Sequence, residues 1–421
     1  MTLDITALTA RDIARKVQAS DLSAEAVARA FLDLALEKEP TLKAFVHLDA
    51  QAVLAEATGL SAGRRAGPLA GLPIGVKDVI DTADMPTACG SALYAGRQPA
   101  ADASCVHLVR AAGAVVLGKT VTTEFATASP GPTTNPFNLL HTPGGSSSGS
   151  CAAVGAGIVP FAFGTQTSGS TIRPAAYCGV VGYKPSFGSM DRTGIKPLGE
   201  SLDTIGLIAR DVGDVALLAS VVMRQPDLRS LQGEAPLRIG FLRTPDWDRV
   251  DDDYRTRLET CAIALGAIDV SAASWWRDAA WSQDAIFGWE VSAALAFERD
   301  RHPEMLTEVT RNFLEGRAQF DRKSYLAASE IRTRLLASPE TIFDSCDVLI
   351  APSSLGAAPQ GLAATGDPAM NIVWSGLGTP AITLPAGRAN NGLPLGLQLV
   401  GRPGADAALV KHALWAEQVL H

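Results

Sequence analysis

Two short loops of small and hydroxyl residues lie inside apolar stretches of this chain, and they limit its fold more than any other feature. The first is Pro143-Gly-Gly-Ser-Ser-Ser-Gly-Ser150; the second is Gly164-Thr-Gln-Thr-Ser-Gly-Ser-Thr-Ile-Arg-Pro174. Small residues let backbone N–H groups come close to a ligand. Flexible Gly/Ser linkers run through polar spacer, whereas both loops here are flanked by apolar segments. Ala152 to Gly157 reads as a tightly packed helix, 158–163 as a buried strand, and 164–173 as loop. Neither loop fits G-x-x-x-x-G-K-[ST] or G-x-G-x-x-G, which argues against a phosphate cradle. Gly145-Ser-Ser-Ser-Gly149 matches the G-x-S-x-G nucleophile elbow. That elbow needs a strand immediately before it, and 135–144 is a run of turn formers with two prolines, so the match is accidental. His302 and His412 have the chain order of a hydrolase triad, but neither lies in a segment built like a catalytic loop.

Lys77 is the other unusual residue. The segment LPIGVKDVI at 72–80 alternates like a strand, with Ile74, Val76 and Ile80 on one face and Gly75, Lys77 and Val79 on the other. Lysine is seldom fully buried unless paired. Burial lowers its pKa and favours the neutral amine, which can act as a base. The competing reading is an exposed strand lysine, or one paired with Asp78 or Asp81.

Elsewhere, 5–39 reads as two helices, with Ser23 as an N-cap and Pro40 as the stop. Short strands are expected at 115–118, 238–242, 347–351, 381–385 and 394–400, and a last helix at 406–420. The stretch 129–150 is loop and 225–237 is a polar surface linker. From there to about 340 the pattern is mostly helical, with a Trp-rich patch at 275–289. Alternating strands and helices argue an α/β layered domain. The chain has 421 residues and a net charge of −8, without Lys/Arg clusters, so nucleic acid is a poor candidate partner. No basic amphipathic stretch suits a membrane surface, and no export signal is seen at the N-terminus. The six cysteines form no C-x-x-C and read as buried small hydrophobes in a reduced, cytoplasmic protein. No metal or organic cofactor is indicated.

Three elements together resemble the amidase signature family: GVKD at 75–78, GGSSSGS at 144–150 and GTQTSGSTIRPAAYCGVVGYKPS at 164–186. The resemblance is strongest from about 70 to 210 and resumes with GDPAMN and TPAITLPAG between 366 and 401; it is weakest between 225 and 345. It implies a single α/β domain over 1–421 with a mixed central sheet covered by helices on both sides. Within it, 5–69 would be N-terminal helices, 70–224 the catalytic core, 225–345 a variable helical cap and 346–421 a return to the core. The resemblance further implies Lys77 as base, Ser146 as a bridging serine preceded by a cis peptide bond, and Ser170 as nucleophile. The N–H groups of Thr167, Ser168, Gly169 and Ser170 would form the oxyanion hole.

The pattern departs from many members at Gln166, where Asp is common, at Ser168-Gly169, where two glycines are common, and at Ile172, which takes the place of the usual arginine. It looks most like the malonamidase branch, in which Arg173 would pair with a substrate carboxylate; the alternative is an arginine that braces its loop. The expected activity is hydrolysis of a small carboxamide through an acyl-enzyme on Ser170, with malonamate-like acids as candidates. An aryl or neutral amide, with Trp275, Trp276, Trp281, Phe287 and Trp289 walling the pocket, is an alternative to plain core packing of these residues. A glutaminase-type subunit of an amidotransferase complex is a further alternative. A homodimer would be the common arrangement, though no feature of the sequence points to it.

Overall fold

The structure, a computed structural model, describes residues 3–63, 67–271, 275–337, 343 and 345–420. Eleven strands form one sheet: β1 (Phe45–His47), β2 (Pro73–Lys77), β3 (Val115–Thr120), β4 (Phe161–Gln166), β5 (Val181–Lys184), β6 (Thr204–Ala209), β7 (Ile239–Arg243), β8 (Ile268–Ser271), β9 (Val348–Pro352), β10 (Ala381–Arg388) and β11 (Pro394–Val400). Their spatial order is β1-β3-β2-β4-β6-β5-β10-β11-β9-β7-β8. Strands β2, β3 and β4 run parallel, as do β7, β8 and β9, while the other pairings are antiparallel. The sheet is therefore mixed, as the resemblance implies, and helices flank it.

β2 is enclosed on both edges, by β3 and β4. All five of its residues are buried, so both of its faces are covered. The strand is shorter than the 72–80 alternation suggests. The N–H groups of Val79 and Ile80 both bond to Lys77 O, and the chain turns there. Lys77 thus ends a central strand, at the carboxyl edge where α/β sheets place their sites.

Other expectations shift at their edges. The second N-terminal helix, Ala24–Leu42, starts at Ser23, whose hydroxyl accepts from Ala26 N, but it runs through Pro40. A proline within two residues of the end loses little. Leu42 is buried in the core beside Val115 and Leu117, and Lys43 closes the helix in the left-handed region (φ 54°). The supposed loop 164–173 is also partly ordered. β4 continues to Gln166 because Thr165 and Gln166 pair with Ile205 and Thr204, and a helix begins at Ile172. The last helix is Asp406–Leu420. Positions 272–274 and 338–342 of the stretch read as mostly helical lie outside the described residues.

Within that stretch, helices Trp275–Ala294, Ala296–Arg301, Glu308–Arg317 and Arg322–Ala337 gather beside the sheet. Core residue Glu124 ties them down. Its Oε2 accepts from Thr307 N (3.0 Å) and Thr307 Oγ1 (2.6 Å) at the start of the third helix, while Oε1 accepts from Ser91 Oγ (2.8 Å). Trp275, Trp276 and Trp374 are buried and stack on one another, with centroids 5.4–6.3 Å apart, whereas Trp281 is 42% and Trp289 36% exposed. The first three are core packing. All six cysteines are free and buried.

Candidate active site

The first Gly/Ser loop ends in a helix, Ser148–Gly155, that packs against β3. Gly149 lets it come close: a Cβ there would lie 2.2 Å from Ala44 O and 2.4 Å from Val121 N. The glycine that completes the accidental G-x-S-x-G match is thus a packing residue. The helix start brings Ser146, after a cis Gly145–Ser146 peptide bond, over the end of β2. Lys77 Nζ lies 2.7 Å from Ser146 Oγ and 2.7 Å from Thr165 Oγ1. Lys77 is 0% and Ser146 2% exposed. Burial lowers the lysine from its ordinary 10.5 to about 7, against the opposing pull of Cys151 and Asp203.

The second loop is held against the first. Ser147 N donates to Ser170 O (3.2 Å), and Ser147 Oγ both accepts from Thr165 N and donates to Thr165 O. Ser170 is only partly buried, and no side-chain hydrogen bond engages its hydroxyl. The N–H groups of Thr167, Ser168, Gly169 and Ser170 donate to no acceptor among the described residues. Four successive free donors beside a free hydroxyl are the equipment for stabilising a developing oxyanion.

Gln166 organises this loop from beneath. Its Oε1 accepts from Thr171 N (2.9 Å) and Ile172 N (3.0 Å), the start of the next helix. Its Nε2 donates to Ser375 Oγ (3.0 Å), which in turn donates to Ser168 O (2.6 Å). The carboxamide thus joins the loop to the helix Ile372–Gly376, a link that an aspartate at this position could not make as donor.

Arg173 is buried. Its Nε donates to Thr365 O (2.9 Å) and Nη2 to Gly145 O (2.7 Å), while Nη1 has no partner. The guanidinium therefore braces the turn before Ser146. Asn371 Oδ1 is also buried and unpartnered, and both atoms face Gly169, where a Cβ would lie 2.6 Å from Asn371 Oδ1 and 3.1 Å from Arg173 Nη1. His412 is far from this chemistry on the last helix, beside Glu234, and His302 lies at the end of a cap helix.

In keeping with this geometry, the profile of the family described as Amidase matches residues 26–410. The chain belongs to the amidase signature family. A similar relative is the glutamyl-tRNA(Gln) amidotransferase amidase-type subunit of Symbiobacterium thermophilum, 33% identical over 98% of this chain and 96% of that protein. Among solved structures, one described as a vestigial protein complex revealing the origins of an s-triazine catabolic enzyme superposes with a TM-score of 0.91. It is 27% identical and covers 98% of both chains. Native peptide amidase from Stenotrophomonas maltophilia superposes with a TM-score of 0.80, at 28% identity over 98% of this chain and 97% of that one. As an amidase signature protein, this chain shares the fold of these enzymes. Among the described residues no helix is long and apolar enough to cross a membrane, and no group of three His, Cys, Asp or Glu could hold a metal ion.

Several residues around the site escape the sequence reading: Thr165, Asp203, Gln283, Asn371 and Ser375. Gln283 Nε2 lies 3.1 Å from Ser168 Oγ and 3.4 Å from Thr167 O, reaching the loop from the Trp-rich helix. A signal for it existed. Gln283 follows Trp276 by seven residues, so it shares the inward stripe of that helix with Trp276, Ala279 and Ile286. Asp203 and Asn371 carry no comparable local mark.

Proposed function

We propose that this chain hydrolyses a small carboxamide to a carboxylate and ammonia, with Ser170 as nucleophile, Ser146 as proton relay and Lys77 as base. The observation that carries the reading is the buried Lys77–Ser146 contact of 2.7 Å on an amine lowered to about 7. A neutral lysine can take a proton from Ser146, which takes one from Ser170 as its oxygen attacks the amide carbon. The oxyanion gains the N–H groups of 167–170. The relay then returns a proton to the nitrogen as the C–N bond breaks and ammonia leaves. Water, losing its proton to the same relay, attacks the acyl carbon and frees Ser170.

The malonamidase-like pattern supports an amide that carries a carboxylate, such as malonamate. Two nitrogens of Arg173 are committed to backbone carbonyls, so Nη1, beside Gly169, is the one left for a substrate. A second reading, a glutaminase that works only with partner proteins, is favoured by the similarity to the glutamyl-tRNA(Gln) amidotransferase protein along almost the whole chain.

Ammonia release by the purified chain alone separates these readings, with acid amides, glutamine, neutral amides and aryl amides as the panel and Ser170→Ala as blank. Turnover confined to acid amides supports the first. Glutamine turnover that needs added partner proteins supports the second. Turnover of aryl or neutral amides alone would remove the role for Arg173.

A further inference from the structure

We infer that Asp203 is a positioning residue for the amide chemistry, fixing Thr167 at the head of the oxyanion loop and presenting a buried carboxylate to the side of the sheet where Lys77 ends. The inference rests on the proposed Lys77–Ser146–Ser170 relay. The β4–β6 ladder pairs Thr165 with Ile205 and Gln166 with Thr204, so one step further sets Thr167 against Asp203. Thr167 Oγ1 donates to Asp203 Oδ1 at 2.5 Å. Residues two apart in an extended chain point the same way. The hydroxyl of Thr165 accordingly meets Lys77 Nζ, and that of Thr167 meets Asp203, on one side of the strand.

The other oxygen of Asp203 accepts from Leu198 N (2.8 Å) and Gly199 N (3.1 Å). All three partners can donate, and two can only donate, which suits an ionised carboxylate. Burial pushes its carboxyl up, and the hydrogen bonds from Thr167, Leu198 and Gly199 pull against that. Asp203 is 8% exposed, and no cationic side chain of the described residues forms a salt bridge with it. The groups that face Lys77 are Ser146, Cys151 on the helix after it, Thr165 on β4 and Asp203 at the head of β6. Burial pushes the Cys151 thiol up, so it stays neutral. Asp203 is then the group that brings charge. A negative charge favours the protonated amine and opposes burial, which keeps the base strong enough to take a serine proton.

The test uses the full chain and reads the pH dependence of Ser170 labelling by a fluorophosphonate and of ammonia release. Asp203→Asn is expected to move the alkaline rise of both to lower pH, by ~1 unit. Thr167→Val is expected to slow labelling by ~10²-fold, the scale of a misplaced oxyanion donor, with Thr167→Ser restoring it. A folded Asp203→Asn chain with the wild-type midpoint would overturn the inference. So would wild-type labelling by Thr167→Val, which decides the matter alone if Asp203→Asn does not fold. Failure of the relay itself is distinguishable: Lys77→Ala would then keep the wild-type rate and midpoint.

Discussion

Lys77 Nζ and Ser146 Oγ meet at 2.7 Å with neither side chain more than 2% exposed. No carboxylate lies within salt-bridge distance of the lysine among the described residues, so burial governs its proton. An ammonium here would have lost its water without gaining a counter-ion.

The pH dependence follows from that. The base works when neutral, and its pKa lies at about 7. kcat/KM should rise with pH through that value and level off above it. A rate already at its plateau at pH 5 would mean that another group takes the proton. Lys77→Ala should cost ~10²–10⁴-fold, the worth of a general base.

Ser170→Ala should leave the fold intact and remove turnover, because the acyl-enzyme cannot form; a loss of ~10⁴-fold or more is the usual scale for a nucleophile. Thermal melts of the variant and the parent should coincide. Ser146→Ala should slow turnover ~10²–10⁴-fold while Ser170 remains slowly labelled by a fluorophosphonate. Equal labelling rates in Ser146→Ala and the parent would remove Ser146 from the relay.

Arg173→Ala removes donors to Thr365 O and Gly145 O and should lower stability, at about 1.5–3 kcal/mol for each charged hydrogen bond. A substrate role adds a second signature: KM rises for carboxylate-bearing amides and not for neutral ones. Equal changes for both, measured on matched acid and neutral amides, would leave the brace as its whole function.

Gln166→Glu tests the loop support. The carboxylate can still accept from Thr171 N and Ile172 N but cannot donate to Ser375 Oγ. Stability should fall by about 1–3 kcal/mol, as for a buried group left without its partner. Denaturant unfolding reads this directly; an unchanged midpoint would mean that Ser375 finds another donor.

The parts of the site legible in the sequence are those with a local anomaly. Lys77 is a charge inside an apolar strand, and the serines lie in Gly-rich loops between apolar segments. Family resemblance supplied the link between them. Asp203 and Asn371 are ordinary in their own segments and meet the loop only through the β4–β6 pairing and the helix Ile372–Gly376. The same limit explains the edges of the elements. Nothing local marks Gln166 as strand, because its partner Thr204 is 38 residues away. Pro40 reads as a stop because its cost is local, whereas the burial of Leu42 that offsets it is tertiary.

Strand β2 is hydrogen-bonded along both edges and cannot slide or twist without breaking two ladders. Ser170 sits on a loop tied mainly by side chains, Gln166 and Gln283 among them. The proton path therefore has one anchored terminus and one adjustable terminus. Diversification toward new amides can proceed by editing the ties of the adjustable end while the anchored lysine stays in place.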